Sequence, residues 1–184
     1  MIEAARYHVS ETLRDGTRLV IRAQTFEDRA AYREALARAS PESIYHRFFA
    51  PKRSFSEAEA HYFLDIDFVK HVALVAEVEE NGRPSIVGEA RYIVVEPGKA
   101  EVSFALIDAY QGRGIGSLLL RHLTKLGREA GLHAFVAEVL ADNVAMLKVF
   151  ERSGLATTER RNGTVIDVTM RLTPETVPQV RGCT

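Results

Sequence analysis

The sequence predicts an α/β domain in which a mixed, mostly antiparallel sheet carries one parallel strand, helix, strand unit and is flanked by further helices. Two observations lead to this class. Residues 71 to 108 hold three β-rich runs, HVALVAEVEE, SIVGEARYIVVE and KAEVSFALID, divided by turn signals at Asn81-Gly82 and Pro97-Gly98, which is the pattern of an antiparallel meander. After them, Ile115, Leu119, Leu123 and Leu126 recur every three or four residues and give one apolar helical face, followed by the strand-like run LHAFVAEVL. A crossover of this kind within one sheet is right-handed and leaves its two strands parallel, so the unit from 101 to 140 supplies the parallel pair.

The other elements follow in chain order. TRLVIRAQ alternates as a strand, and TFEDRAAYREALARAS follows it as a helix with Thr25 as cap and an acidic first turn. Pro41 ends that helix or starts the next, in the aromatic-rich PESIYHRFF, and Ser54 or Ser56 caps a further helix in SFSEAEAHYFLDI. Beyond the central unit, NVAMLKVFERS reads as a short helix stopped by Gly154, and LATTERRNGTVIDVTMRL as a hairpin turning at Asn162-Gly163. The expected organisation is one domain over 1–184, with its core at about 12–172 and a loose tail at 174–184.

At 184 residues, with 46% hydrophobic and 27% charged content, the chain is large enough to bury one sizeable core. A net charge of −1 gives no global attraction to nucleic acid, so a bound polyanion must be held by a local site. The single cysteine, Cys183, lies in the tail, which excludes an intramolecular disulfide and a Cys-based metal cluster and fits a reducing compartment. His46 and His71 are scattered and form no ligand set, so no metal is expected. The amino terminus has no apolar signal core, and no run approaches the roughly eighteen apolar residues of a membrane span; the expectation is a cytoplasmic protein that binds neither membrane nor nucleic acid.

The run VSFALIDAYQGRGIGSLLLRHL places Gly112, Gly114 and Gly116 where a strand becomes a helix. A helix start presents N–H groups without intrahelical partners, and its aligned peptide dipoles favour negative charge there. Glycine lets an anion approach those amides closely, so a diphosphate can be held without a basic surface. The plainer reading is a tight strand-to-helix turn. A P-loop is excluded because no Gly-Lys-Ser/Thr ending exists. A dinucleotide fingerprint is disfavoured: Ser117 stands where a third glycine or alanine belongs, and the unit follows a meander instead of opening a doubly wound sheet, although Glu138 sits at a plausible distance for a ribose contact.

Gln111-Gly112-Arg113-Gly114-Ile115-Gly116 resembles the signature of the GCN5-related N-acetyltransferase (GNAT) family, a Gln or Arg, two residues, Gly, one residue, then Gly or Ala. The order of elements over residues 17 to 172 is similar to that family's, and ADNVAMLKVFERSGL resembles its later Asn-containing segment. A closer likeness is to the acetyltransferase domain of bacterial Pat-type protein lysine acetyltransferases, carried by SPESIYHRFF, IVGEARYIV, AEVSFALIDAYQGRGIG and AEVLADNVAML. The resemblance implies a GNAT-like domain that transfers an acetyl group from acetyl-CoA to an amine. A protein lysine is the expected acceptor, for instance on an acyl-CoA synthetase; a small amine or amino acid is the alternative, and a non-catalytic acyl-CoA sensor is a third reading. It further implies that the coenzyme A diphosphate lies on the amides of Gly112, Arg113, Gly114, Ile115, Gly116 and Ser117, next to Gln111. The pantetheine arm would run beside Phe104, Ala105 and Leu106.

An attacking lysine, with a reference pKa of about 10.4, arrives as ammonium and must lose a proton, so a carboxylate is needed near the acyl group. Glu101 matches the family's general base, acting directly or through a water, and strand alternation puts Glu101 and Ser103 opposite Val102, Phe104 and Leu106. Five residues of strand from Glu101 to Leu106 span about 17 Å, a length suited to an extended cofactor arm. Glu89 is the rival acid, with pairing to an arginine or lining of the acceptor site as its other readings. A main-chain N–H near Ala105 or Leu106 is the expected oxyanion donor. Asn143 matches the family's asparagine near the cofactor arm and equally serves as a helix cap. Phe150 departs from the family, where a tyrosine often protonates the leaving thiolate. Tyr45, Phe48 and Phe49 line an acceptor groove or form core, and Arg160 and Arg161 are expected to be solvated.

Overall fold

The computed structural model describes residues 3–51, 56, 59 and 63–173. The chain runs through β1 (His8–Thr12), β2 (Arg18–Ala23), α1 (Arg29–Ala37), α2 (Pro41–Phe48), β3 (His71–Glu80), β4 (Arg83–Glu96), β5 (Lys99–Leu106), α3 (Ile115–Glu129), β6 (Ala134–Leu140), α4 (Val144–Glu151), β7 (Ala156–Asn162) and β8 (Val165–Arg171). The strands form one sheet in the order β1-β2-β3-β4-β5-β6-β8-β7. Every neighbouring pair is antiparallel except β5 with β6, joined across α3 as the crossover reading requires.

The apolar face of α3 drives the packing. Ile115, Leu119, Leu123 and Leu126 are all buried, against Leu74, Ala90, Tyr92, Val102 and Phe135 from one face of the sheet. Each such side chain contributes about 1.5–3 kcal/mol by leaving water. The opposite face carries α1 against β4 and α2 against β5. Strand residues alternate between these faces, so Glu89 and Arg91, and with them Ser103 and Glu101, point to the α1 and α2 side.

Turn chemistry fixes the meander. Asn81 and Gly82 both take positive φ, 53° and 75°, as a two-residue type I′ hairpin between β3 and β4 requires. The final hairpin turns one residue later than the sequence suggests: Asn162 pairs with Val165, so Gly163 and Thr164 form the turn. Strand β1 is an addition to the predicted set. Its residues alternate between exposed and half-buried with none in the core, so HVSET lacks the hydrophobic rhythm of a strand and is held by its backbone register with β2. Pro41 opens α2 at its first turn, with Ser40 as cap. In the helix expected within SFSEAEAHYFLDI, Ser56 and Glu59 exchange capping bonds: the Glu59 N–H donates to Ser56 Oγ, and the Ser56 N–H to Glu59 Oε2. Ser54 and most of the rest of that segment, and the tail from 174, lie outside the described residues.

Candidate active site

Strands β5 and β6 pair at only three positions, Lys99 with Ala134, Ala100 with Phe135 and Glu101 with Val136, and then diverge. The divergence opens a cavity of about 890 Å³, lined by residues 101–108 of the β5 side, 137–139 of β6, the glycine segment, and parts of α2 and α4. That volume lies in the range of sites for small molecules and cofactors. Glu101 marks the point of separation. It is exposed and lines the cavity together with Phe104, Ala105 and Leu106.

Beyond Glu101, the inner edge of β5 has no strand partner among the described residues. The Ile107 N–H donates to Val87 O on β4 at 3.0 Å, so alternation turns the main-chain groups of Ala105 and Ser103 toward β4, and those of Val102, Phe104 and Leu106 toward the cleft. Gln111 Nε2 donates to Leu106 O at 3.2 Å, which places that carbonyl on the open side. The expected oxyanion donor is thereby narrowed: the Leu106 N–H faces the cleft and the Ala105 N–H does not.

The glycine segment ends where α3 begins. Gly114 is the N-cap residue at φ 93°, and Gly112 sits at φ 71°, both in the left-handed region that side chains disfavour. A Cβ at either position would meet no described atom within 4 Å, so glycine is required there by backbone conformation and not by packing. Gly116 has a different role. A Cβ there would lie 3.4 Å from Val149 of α4, an ordinary van der Waals distance, so Gly116 is buried where α4 packs on α3. Ile115 is fully buried, whereas Gln111, Gly112, Gly114 and Ser117 are exposed along the cavity wall.

The side chain of Arg113 turns away from this wall. Its guanidinium donates to Asp15 at 3.0 and 2.7 Å and to Thr17 Oγ1 at 2.6 Å, and it stacks 4.8 Å over the Tyr110 ring. Bonds from Thr17 and Arg113 hold the Asp15 carboxyl down at about 2. Arg113 therefore ties the loop to the β1–β2 turn.

On the α2 side lies a polar cluster that the sequence reading left open. Glu89 and Arg91 are 2% and 1% exposed and pair directly; Arg47 of α2 approaches Glu89 at 3.4 Å, and the Tyr32 hydroxyl of α1 donates to it at 3.2 Å. Burial acts to raise the Glu89 carboxyl, but the Arg91 and Arg47 charges and the bonds from Arg91 and Tyr32 outweigh it and hold it below the ordinary glutamate value. Burial together with the neighbouring Glu89 charge raises the Tyr32 hydroxyl. Arg91 also donates to Phe63 O at 2.9 Å and to Gln24 Oε1 at 3.3 Å. Of the aromatic residues, Phe48 and Phe49 line the cavity and Tyr45 stands exposed outside it.

On the α4 side, Asn143 is the N-cap residue, its Oδ1 accepting from the Met146 N–H at 3.1 Å, and it also lines the cavity. Loss of this cap should destabilise the chain by about 1 kcal/mol in Asn143→Ala, with Asn143→Asp recovering it. Urea unfolding of the three proteins measures the effect. Phe150 is buried against Phe104 with ring centroids 5.9 Å apart, and it serves as core at the base of the cleft.

The family model described as the Acetyltransferase (GNAT) family matches residues 38–155, a span that contains the splayed strands, the glycine segment and α4. The chain belongs to the GNAT family. An acetyltransferase of Pseudomonas aeruginosa is 35% identical over 140 residues, covering 76% of this chain and 75% of that protein. The acetyltransferase Pat of Mycolicibacterium smegmatis is 32% identical over 154 residues, 79% of this chain and 45% of Pat, so this GNAT chain spans less than half the length of that relative. The crystal structure of the GNAT domain of S. lividans PAT superimposes with a TM-score of 0.80 at 34% identity, over 89% of this chain and 96% of the domain. This GNAT protein is thus an N-acetyltransferase whose described residues form a mixed-sheet domain of the family's form. Among its described residues no three His, Cys, Asp or Glu side chains converge as metal ligands, and no helix is long and apolar enough to cross a membrane.

Proposed function

We propose that this acetyltransferase takes the acetyl group from acetyl-CoA and delivers it to a lysine side chain of a protein, with Glu101 as general base. The observation that carries the reading is the cleft between β5 and β6. It begins at an exposed carboxylate and runs along an unpaired strand edge to the bare amides at the start of α3. Those amides, at Gly112 to Ser117, suit the diphosphate of coenzyme A. The inner edge at Phe104 and Leu106 suits the amide groups of the pantetheine arm, with Ala105 and Asn143 beside it.

The chemistry balances with groups at hand. The neutral amine attacks the thioester carbonyl; a C–N bond forms, the C–S bond breaks, and the amine's proton passes to Glu101, directly or through one water. Charge on the carbonyl oxygen is met by the Leu106 N–H. The departing thiolate, with a thiol pKa of about 8.5, takes its proton from water, since Phe150 has none to give. The Pat-like segments favour a protein lysine as acceptor, and an acyl-CoA synthetase is the first protein to test.

The experiment supplies acetyl-CoA with candidate proteins or with free amines, follows thiol release, and locates the acetyl group by mass spectrometry. Acetylated protein lysine, absent with Glu101→Gln, is the expected result. Turnover with free amines alone would replace the acceptor class, and coenzyme A binding without turnover would make the chain a sensor. A second test addresses the donor loop. At φ 93° a β-branched side chain carries about 1–3 kcal/mol of strain, so Gly114→Val should weaken coenzyme A binding about tenfold or more in calorimetry. An unchanged dissociation constant would remove the diphosphate from this loop.

A further inference from the structure

Helix α2 forms the wall of the cavity on the side of Glu89 and Glu101, and its first turn is fastened to the loop that precedes α3. Asp108 lies between the end of β5 and Gln111. Its carboxylate accepts three bonds from that turn: the Ser40 N–H at 2.7 Å, the Ser40 hydroxyl at 2.7 Å and the Ser43 hydroxyl at 3.0 Å. Gln111, the first residue of the glycine motif, returns a fourth bond by donating Nε2 to Ser43 Oγ at 2.9 Å. Ser43 Oγ is thus both donor to Asp108 and acceptor from Gln111, while the Ser43 N–H donates to Ser40 Oγ at 3.1 Å and closes the cap of α2.

The attachments farther along α2 follow the same rule. His46 Nε2 is 3.2 Å from Oδ1 of Asp142, the neighbour of Asn143, and Arg47 meets Glu89, the strand partner of Ala105. Asp142 and Glu89 are carboxylates beside proposed donor contacts, and Asp108 lies between two more, Leu106 and Gln111. Asp108 differs from the other two in being part of the loop itself, so a ligand that fixes the loop fixes the direction of its carboxylate.

We infer that Asp108 is a positioning residue that transmits occupancy of the diphosphate loop to α2, so that filling the donor site stiffens the acceptor-side wall. The inference rests on the proposed donor site. Bonds to an ionised carboxylate are stronger than neutral ones, and burial of the Asp108 carboxyl is outweighed by the Ser40 and Ser43 bonds, which keep it charged below the usual aspartate value. Ordering one end of such a bonded pair lowers the entropy cost of ordering the other.

Hydrogen exchange with coenzyme A alone tests this without knowledge of the acceptor. Saturating coenzyme A should slow exchange about tenfold both at residues 113–118 and at α2 amides 44–49 of the unmodified chain. In Asp108→Asn the slowing at 113–118 persists and the slowing in α2 is lost; Ser43→Ala, which keeps both Ser40 bonds, reduces it and guards against an unfolded Asp108 variant. If Asp108 only capped α2, both variants would raise α2 exchange equally with and without coenzyme A, and the inference would fall. Slowing confined to 113–118 in the unmodified chain overturns the coupling and leaves the donor site standing. No slowing anywhere, with no binding heat, overturns the donor site and the coupling with it.

Discussion

Glu101→Gln is expected to lower kcat by about 10²–10⁴ while changing the affinity for acetyl-CoA less than about threefold. The amide keeps the shape of the side chain and removes its ability to take a proton. Because Glu101 stands at the point where β5 leaves β6, it lies at the inner end of the cleft and not beside the diphosphate amides, so donor binding should be spared. The residual rate should depend on the small neutral fraction of the amine. With an acceptor pKa of about 10.4, it should climb roughly tenfold per pH unit from pH 7 to 9, whereas the unmodified enzyme rises less steeply. Initial rates across that range read the difference, and a full rate with an unaltered profile would take Glu101 out of the reaction.

The largest loss of stability is expected at Glu89. Removing one partner of a buried ion pair strands the other, at a cost of about 3–5 kcal/mol. In Glu89→Ala the Arg91 and Arg47 guanidiniums would lose the carboxylate between them, in a site where Glu89 and Arg91 are almost wholly buried. At about 2–4 °C per kcal/mol for a chain of this size, the melting temperature should fall by roughly 6–20 °C. The pH dependence has a definite sign. The folded carboxyl is held below its unfolded value, so its contribution is fully present above the unfolded pKa of about 4.3 and is lost as pH falls through the lower folded value. The gap in stability between the unmodified chain and Glu89→Gln should therefore be constant above pH 5 and shrink on acidification. A gap that widens toward low pH would show that Glu89 is protonated in the folded protein.

These expectations draw on features of differing legibility. The meander and α3 were plain in the sequence because local signals determine them: the Asn81-Gly82 turn demands two positive φ values, and the spacing of Ile115, Leu119, Leu123 and Leu126 allows only one buried face. The placement of Gly112 and Gly114 at a helix start was equally local. The cleft was not legible. Three paired positions between β5 and β6 followed by divergence depend on how the crossover through α3 and the β8 ladder set the two strands, and neither strand's residues encode an angle. At Arg113 the expectation concerns the main-chain amide alone, and the side chain answers to Asp15, a contact so far away in sequence that no local signal marks it. The Glu89 cluster did leave a trace. Two charges at alternate positions in an otherwise apolar strand, IVGEARYIVV, must share one face and so need partners there, but only the fold could show that α1 and α2 bring them.

The brevity of the β5–β6 ladder has a mechanical meaning. Three rungs and the helix α3 join strands β1 to β5 to strands β6, β8 and β7, so the width of the cleft follows from the angle at that short seam and from how α3 seats on both halves. Residues of the β7–β8 hairpin, none of which lines the cavity, thus bear on its width through the seating of β6.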